Sequence, residues 1–366
     1  MNKLPRIPLY KPPIIREAQD ALDRCFNSGW WGYGPECKKL EKRFTQKKGG
    51  WALSTSSCTS ALYIVAKMLY QSRQDEVIVP AITWISTAIA FQMAGFTIKL
   101  ADVNKTSLLV DIDSIKQVVT KNTKAIVIVH LYGQKCNTNA IRKFCDNNSI
   151  SMIEDCAHRI DLEETSLADF CCYSFNTVKE IPCGEGGLIW GKYSENEETA
   201  RHISYLGMKV NTFERSANNI HRDLVFSNTL GVKMQLHDLG ASLANAMFSF
   251  QNKAKNKRKI IFQIYEEHLK NIPGITLIKR KDNDSFLMFV IVLSGMQRSK
   301  FRDSLARGGI ATSIHYPSLS SHPLIFNANT PISDKISQKI ITLPCYVDLA
   351  MKDQLYIIQS IRENMK

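Results

Sequence analysis

The chain has 366 residues, 44% of them hydrophobic and 22% charged, and its 47 Lys plus Arg against 34 Asp plus Glu give a formal charge of +13. This length and composition exclude a short disulfide scaffold, a lone binding module, a disordered chain and a membrane protein. The basic surplus suits an anionic partner such as a phosphorylated metabolite, a nucleotide or a nucleic acid.

The opening stretch MNKLPRIPLYKPPII carries three Lys/Arg and four Pro without an unbroken apolar run, so no secretory signal is expected there. From Ala52 onward, short apolar β-branched runs alternate with helical patterns. Strands are predicted at Ala52 to Thr55, Glu76 to Val79, Thr97 to Ala101, Ala125 to His130, Ser151 to Glu154, Asp169 to Ser174 and Gly187 to Trp190. Between them helices are predicted at Thr59 to Leu69, Ser86 to Ala94, Ile112 to Val119, Thr138 to Asp146 and Glu195 to Tyr205. Val77 to Ile98 is uncharged and long enough to span a bilayer, yet Pro80, Thr83, Ser86, Thr87, Gln92 and Gly95 make it strand, turn, helix and next strand. The alternation predicts an α/β fold with a mostly parallel sheet covered by helices on both faces, and ligands at the carboxyl ends of its strands.

Beyond about Leu243 the pattern changes. Lys253, Lys255, Lys257, Arg258 and Lys259, followed by Ile260, Ile261, Phe262, Ile264 and Tyr265, read as an amphipathic helix with a solvated basic face rather than a nucleic-acid patch. Then come Lys270 to Ile278, the strand-like Phe286 to Val292, a helix at Ser299 to Arg307 and the segment Ile310 to Tyr316. The expected division is a large domain over 1–245 and a smaller α+β domain over 246–366. Ten scattered cysteines without a C-x-x-C motif argue for a reducing, cytoplasmic setting and against a zinc or iron–sulfur site.

Neither G-x-G-x-x-G nor G-x-x-x-x-G-K-[ST] occurs, which argues against a dinucleotide fingerprint or a P-loop. Met152-Ile153-Glu154-Asp155-Cys156-Ala157-His158 places an acid at the end of an apolar strand, and Tyr173-Ser174-Phe175-Asn176-Thr177-Val178-Lys179 places a lysine on a loop after another. A pyridoxal phosphate (PLP) site requires that pair: the acid keeps the pyridine nitrogen protonated and the lysine bonds to the aldehyde. Each residue alone has a plainer reading, the acid as a helix cap among them.

Several segments agree in order and spacing with one family. Ser28-Gly29-Trp30, Gly34-Pro35-Glu36, Ser57-Cys58-Thr59-Ser60-Ala61-Leu62 and Pro80-Ala81-Ile82-Thr83-Trp84 precede Glu154-Asp155-Cys156-Ala157-His158. Ser174-Phe175 with Lys179 and Gly184-Glu185-Gly186-Gly187 follows, and then His315-Tyr316-Pro317 and Leu343-Pro344. Together they resemble the DegT/DnrJ/EryC1/StrS family of PLP-dependent sugar aminotransferases along nearly the whole chain. The resemblance implies the PLP-dependent transferase fold type I, with PLP as cofactor and no metal.

It also implies roles. Cys58 and Thr59 would open a helix toward the cofactor phosphate, Thr59 otherwise being a simple helix cap. Trp84 would stack on the pyridine ring, Asp155 would pair with its nitrogen, and His158 would sit close to the cofactor or the sugar. Ser174 would bind the phosphate, and Lys179 would hold PLP and later shuttle a proton. His315 and Tyr316 would contact substrate. Gly231-Val232-Lys233-Met234 resembles an element whose polar residue, here Lys233, reaches the phosphate of the other subunit in a homodimer with shared active sites.

The chain departs from the family's pattern at Cys58, usually glycine, at Arg159 to Glu164, where a small glycine-containing stretch is usual, and at Ser320, where a second histidine is common and His322 is nearby. The expected activity is transfer of an amino group from an amino acid such as glutamate to a keto sugar, nucleotide-linked, in amino-sugar biosynthesis. Rival readings are a same-fold enzyme acting on a free keto sugar or small phosphorylated ketone, a PLP-dependent sugar dehydratase, and a non-catalytic regulatory or DNA-binding protein.

Overall fold

The computed structural model describes residues 6–217, 224–325 and 328–365, so the first five residues of the proline-rich opening stretch lie outside it. Seven strands form the main sheet: β1 (Trp51–Thr55), β2 (Glu76–Pro80), β3 (Thr97–Ala101), β4 (Thr123–Val129), β5 (Ser151–Asp155), β6 (Phe170–Ser174) and β7 (Gly187–Gly191). Their order is β1-β7-β6-β5-β4-β2-β3, and only β7 runs against its neighbours. All seven were predicted, with ends displaced by no more than two residues.

Alternate side chains of each strand enter two separate cores, as the pleat requires. Ile78, Ile126, Ile128, Met152, Cys171 and Leu188 pack on one face, and Val77, Val79, Val127, Ile153, Cys172 and Ile189 on the other. The uncharged stretch from Val77 to Ile98 is β2, the helix Ser86–Ala94 and the start of β3. Among the described residues no helix is long and apolar enough to cross a membrane.

One predicted helix is shorter than expected. It spans Ile112–Lys116, capped by Asp111 Oδ1 accepting the Ser114 N–H, and the amides of Val118 and Val119 both turn onto the Ile115 carbonyl where β-branched residues disfavour further helix.

A second, antiparallel sheet of β8 (Ile275–Leu277), β9 (Phe289–Leu293) and β10 (Ile340–Leu343) has the order β10-β9-β8. Its core takes Phe262, Tyr265 and Leu269 from the long basic helix Gln251–Leu269, and also Ile7 from the chain's beginning. That helix corrects the solvated-face reading at one position. Arg258 is buried and lies 3.4 Å from the equally buried Glu180.

Candidate active site

The carboxyl ends of β1, β2, β5 and β6 converge on a cavity of about 440 Å³. Ser57, Cys58, Thr59, Trp84, Asp155, His158, Ser174, Lys179, His315 and Tyr316 all line it, together with Thr83, Asn176 and Glu185. Nine of the ten predicted site residues are therefore brought together. Lys233 is the exception: it is exposed on its own chain, in a segment tied to the same end of β1 by the Ser56 N–H donating to the Met234 carbonyl at 2.7 Å.

The helix Cys58–Leu69 opens at the cavity, and its cap is Ser57 rather than Thr59: Ser57 Oγ accepts the Ser60 N–H at 3.0 Å. The amides of Cys58 and Thr59, in the first turn, have no carbonyl behind them to pair with. Gly187 at the start of β7 sets this turn's position, since a Cβ there would lie 2.3 Å from the Ser57 carbonyl carbon and 2.5 Å from the Cys58 nitrogen.

Asp155 ends β5 and is 4% exposed. No helix follows it, so it is not a helix cap. Its Oδ1 accepts the Ala157 N–H at 3.0 Å and its Oδ2 the Thr87 hydroxyl at 2.8 Å. Burial raises its carboxyl above the usual range, opposed by those two donors and by Lys179.

Lys179 sits in a tight loop after β6. Phe175 N–H donates to the Gly186 carbonyl and Thr177 N–H to the Gly184 carbonyl, with Gly184 left-handed at φ 94°. Behind it, Glu180 accepts the Ile160 N–H and pairs with Arg258. Among the described residues the Lys179 amine has no hydrogen-bond or ion-pair partner, and burial lowers its pKa to about 8 against the pull of Asp155, Cys58 and Glu185.

On the opposite wall, Trp84 is 57% exposed and its ring centre lies 5.5 Å from that of Tyr316. His158 is neutral in a defined tautomer. Its Nδ1 accepts the Tyr132 N–H at 3.1 Å, so Nε2 carries the proton and faces the Tyr316 hydroxyl at 3.1 Å. Burial drives its pKa well down, and burial also lowers His315 to about 4, with Lys179 adding to both effects. Ser174 is buried, and among the described residues its Oγ accepts only the Asn176 N–H at 3.4 Å.

An unpaired amine facing a buried acid, a helix opening with free amides, and an exposed indole between them fit a flat, phosphorylated aldehyde cofactor. Residues 12–362 match the DegT/DnrJ/EryC1/StrS aminotransferase family. The chain belongs to that family. Similar solved structures include the aminotransferase TlmJ from Streptoalloteichus hindustanus, 22% identical with a TM-score of 0.90 over 98% of both chains. PseC from Helicobacter pylori, an aminotransferase involved in the biosynthesis of pseudoaminic acid, is 21% identical with a TM-score of 0.90 over 98% of this chain and 99% of its own. The apo-form of the putative sugar aminotransferase Spr1654 from Streptococcus pneumoniae is 25% identical, with a TM-score of 0.88 over 98% of this chain and 97% of its own.

This DegT/DnrJ/EryC1/StrS member is thus a PLP-dependent aminotransferase of fold type I. Thr87 and Tyr132 were missed by sequence reasoning. Thr87 lies in the first turn of the helix Ser86–Ala94 and Thr83 in the bend before it, so no helical period links the two hydroxyls in the sequence. Tyr132 acts through its backbone amide, and a backbone donor leaves no residue-type signal.

Proposed function

We propose that the enzyme transfers an amino group from an amino acid, glutamate as the first candidate, to a keto sugar carried on a nucleotide. The observation that carries this reading is the Lys179 amine, unpaired and with its pKa lowered to about 8, in one cavity with the Asp155 carboxylate. When bound, PLP supplies an electron sink for negative charge on the carbon that bears the amine.

Asp155 would hold a proton on the ring nitrogen, and the free amides of Cys58 and Thr59, with the hydroxyls of Thr59 and Ser174, would bind the phosphate. Trp84, on the cavity wall, would cover one face of the ring. Lys179 would anchor the cofactor through its amine and, as a free amine, would take and return the proton that transamination moves. Its lowered pKa makes a neutral amine accessible near physiological pH. His158, His315 and Tyr316 bound the side where the sugar enters.

A homodimer with shared sites is part of this proposal. Leu224, Val225, Phe226, Leu230 and Val232 form an exposed apolar run leading to Lys233, which supports burial of this segment against a second copy and places an ammonium on it. The ten free cysteines, all buried, support a reducing cytoplasm. The +13 charge supports a diphosphate-bearing substrate.

The test is a two-stage single turnover. PLP-loaded enzyme mixed with glutamate alone should release one 2-oxo acid per site, and nucleotide-linked keto sugars added afterwards should collect the amine. Release of the 2-oxo acid followed by amination of free keto sugars only would overturn the nucleotide linkage, and absence of the first stage would overturn glutamate as donor.

A further inference from the structure

Behind Asp155 stands a chain of two hydroxyls. Thr87 Oγ1 lies 2.8 Å from Asp155 Oδ2 and 3.0 Å from Thr83 Oγ1. Both threonines are buried, and Thr87, on the first turn of the helix Ser86–Ala94, is not among the residues lining the cavity.

The direction of the chain follows from counting protons. Each hydroxyl has one, and an ionised carboxylate can only accept. The Thr87 proton therefore goes to Asp155, and Thr87 in turn accepts the proton of Thr83. On its other oxygen Asp155 accepts the Ala157 N–H at 3.0 Å, with Cys58 Sγ at 4.0 Å. Donors on both oxygens fix the plane of the carboxylate, and a turn out of that plane about its Cβ–Cγ bond weakens the hydrogen bonds on both.

We propose that Thr87, backed by Thr83, is a positioning residue for transamination, holding the Asp155 carboxylate ionised and in the plane that receives the ring N–H of bound PLP. The inference rests on Asp155 as the ring's partner. Burial favours the protonated acid, and the Thr87 hydroxyl is among the groups that oppose it. Without that hydroxyl the carboxyl would be easier to protonate and freer to turn, and the ring nitrogen would lose its proton more readily.

The test uses Thr87→Val, which keeps the shape and removes the hydroxyl, loaded with PLP labelled with ¹⁵N in the ring. The ¹⁵N resonance should move toward that of unprotonated pyridine and kcat should fall about tenfold or more, the range expected for one hydrogen bond to a charged group. Thr87→Ser should restore both. Thr83→Val should move the resonance in the same direction by less, and it decides the matter if Thr87→Val does not fold. A wild-type resonance in both valine variants, while Asp155→Asn shifts it, would overturn the role of Thr87 and leave Asp155 in place. An unmoved resonance in Asp155→Asn as well would remove the reading of Asp155 on which the inference depends.

Discussion

Strand β5 ends in two buried acids, Glu154 and Asp155, that face opposite sides of the sheet and meet opposite surroundings. Glu154 Oε2 lies 3.4 Å from His130 Nε2, 3.5 Å from Cys171 Sγ and 3.9 Å from Cys156 Sγ. His130 Nδ1 accepts the Cys136 N–H at 3.1 Å, so its Nε2 carries the proton and is a donor to Glu154 rather than a free lone pair for a metal. Burial opposes ionisation of Glu154, yet His130 and neighbouring donors outweigh it and hold the carboxyl below the usual range. The charged groups around it are likewise paired, Lys135 with Glu164 and Arg159 with Asp161 at 3.0 Å.

Asp155 has the opposite balance. Burial wins and raises its carboxyl, and the cation facing it across the cavity is an amine with no partner of its own among the described residues. The contrast teaches that burial of an acid does not mark a functional site. What distinguishes the Asp155 side is polar capacity left unfilled: an amine, two amides and a serine hydroxyl aimed at one space.

The comparison can be broken most directly at Lys179. Lys179→Ala should abolish transamination while still binding PLP, and capture of PLP by the wild-type amine should speed up as pH rises, with a midpoint near 8. The sign follows from the lowered pKa, because the ammonium below pH 8 has no lone pair and the amine above it does. A midpoint near the ordinary lysine value would show that burial does not act on this group.

Asp155→Asn comes next. Breaking a buried ion pair costs roughly 3–5 kcal/mol, and if this falls on the transition state turnover should drop about 10²–10³-fold. A variant within about threefold of wild type, well inside 1.4 kcal/mol, would move the electron-sink role to another group. For Lys233→Ala, PLP binding measured by fluorescence titration should weaken roughly tenfold, the size of one charge-assisted hydrogen bond. Scattering should still give a dimer, and unchanged affinity in that dimer would remove Lys233 from the phosphate site. The smallest effect on activity is expected at Glu154→Gln, with unchanged turnover and a stability loss of roughly 1–3 kcal/mol by denaturant titration. A large loss of activity with unaltered stability would erase the distinction between the two acids.

The main sheet was legible because both faces of its strands are buried, which leaves continuous apolar runs bounded by turn residues in the sequence. The helix Pro35–Lys48 was not, since its six Lys and Arg residues hide an apolar stripe of Cys37, Leu40 and Phe44. β10 was missed for a related reason: four residues, Ile340–Leu343, are too few to carry a period. Asp155 and Lys179 were singled out by the resemblance of the segments around them to one family, because an acid at a strand end or a lysine on a loop has a plainer reading when taken alone. The alternative reading of Thr59 as the cap fails because Ser57, two residues earlier, offers a hydroxyl that satisfies the same capping rule. Arg258 was assigned to solvent because its buried partner, Glu180, lies 78 positions away and no local pattern links them.

Lys179 as the cofactor's covalent anchor separates the two sides of β5 most sharply. Borohydride reduction of the PLP-loaded enzyme, followed by digestion and mass spectrometry, tests it in one step. A single modified peptide carrying the label on Lys179 is expected, and a label on any other lysine would contradict the assignment.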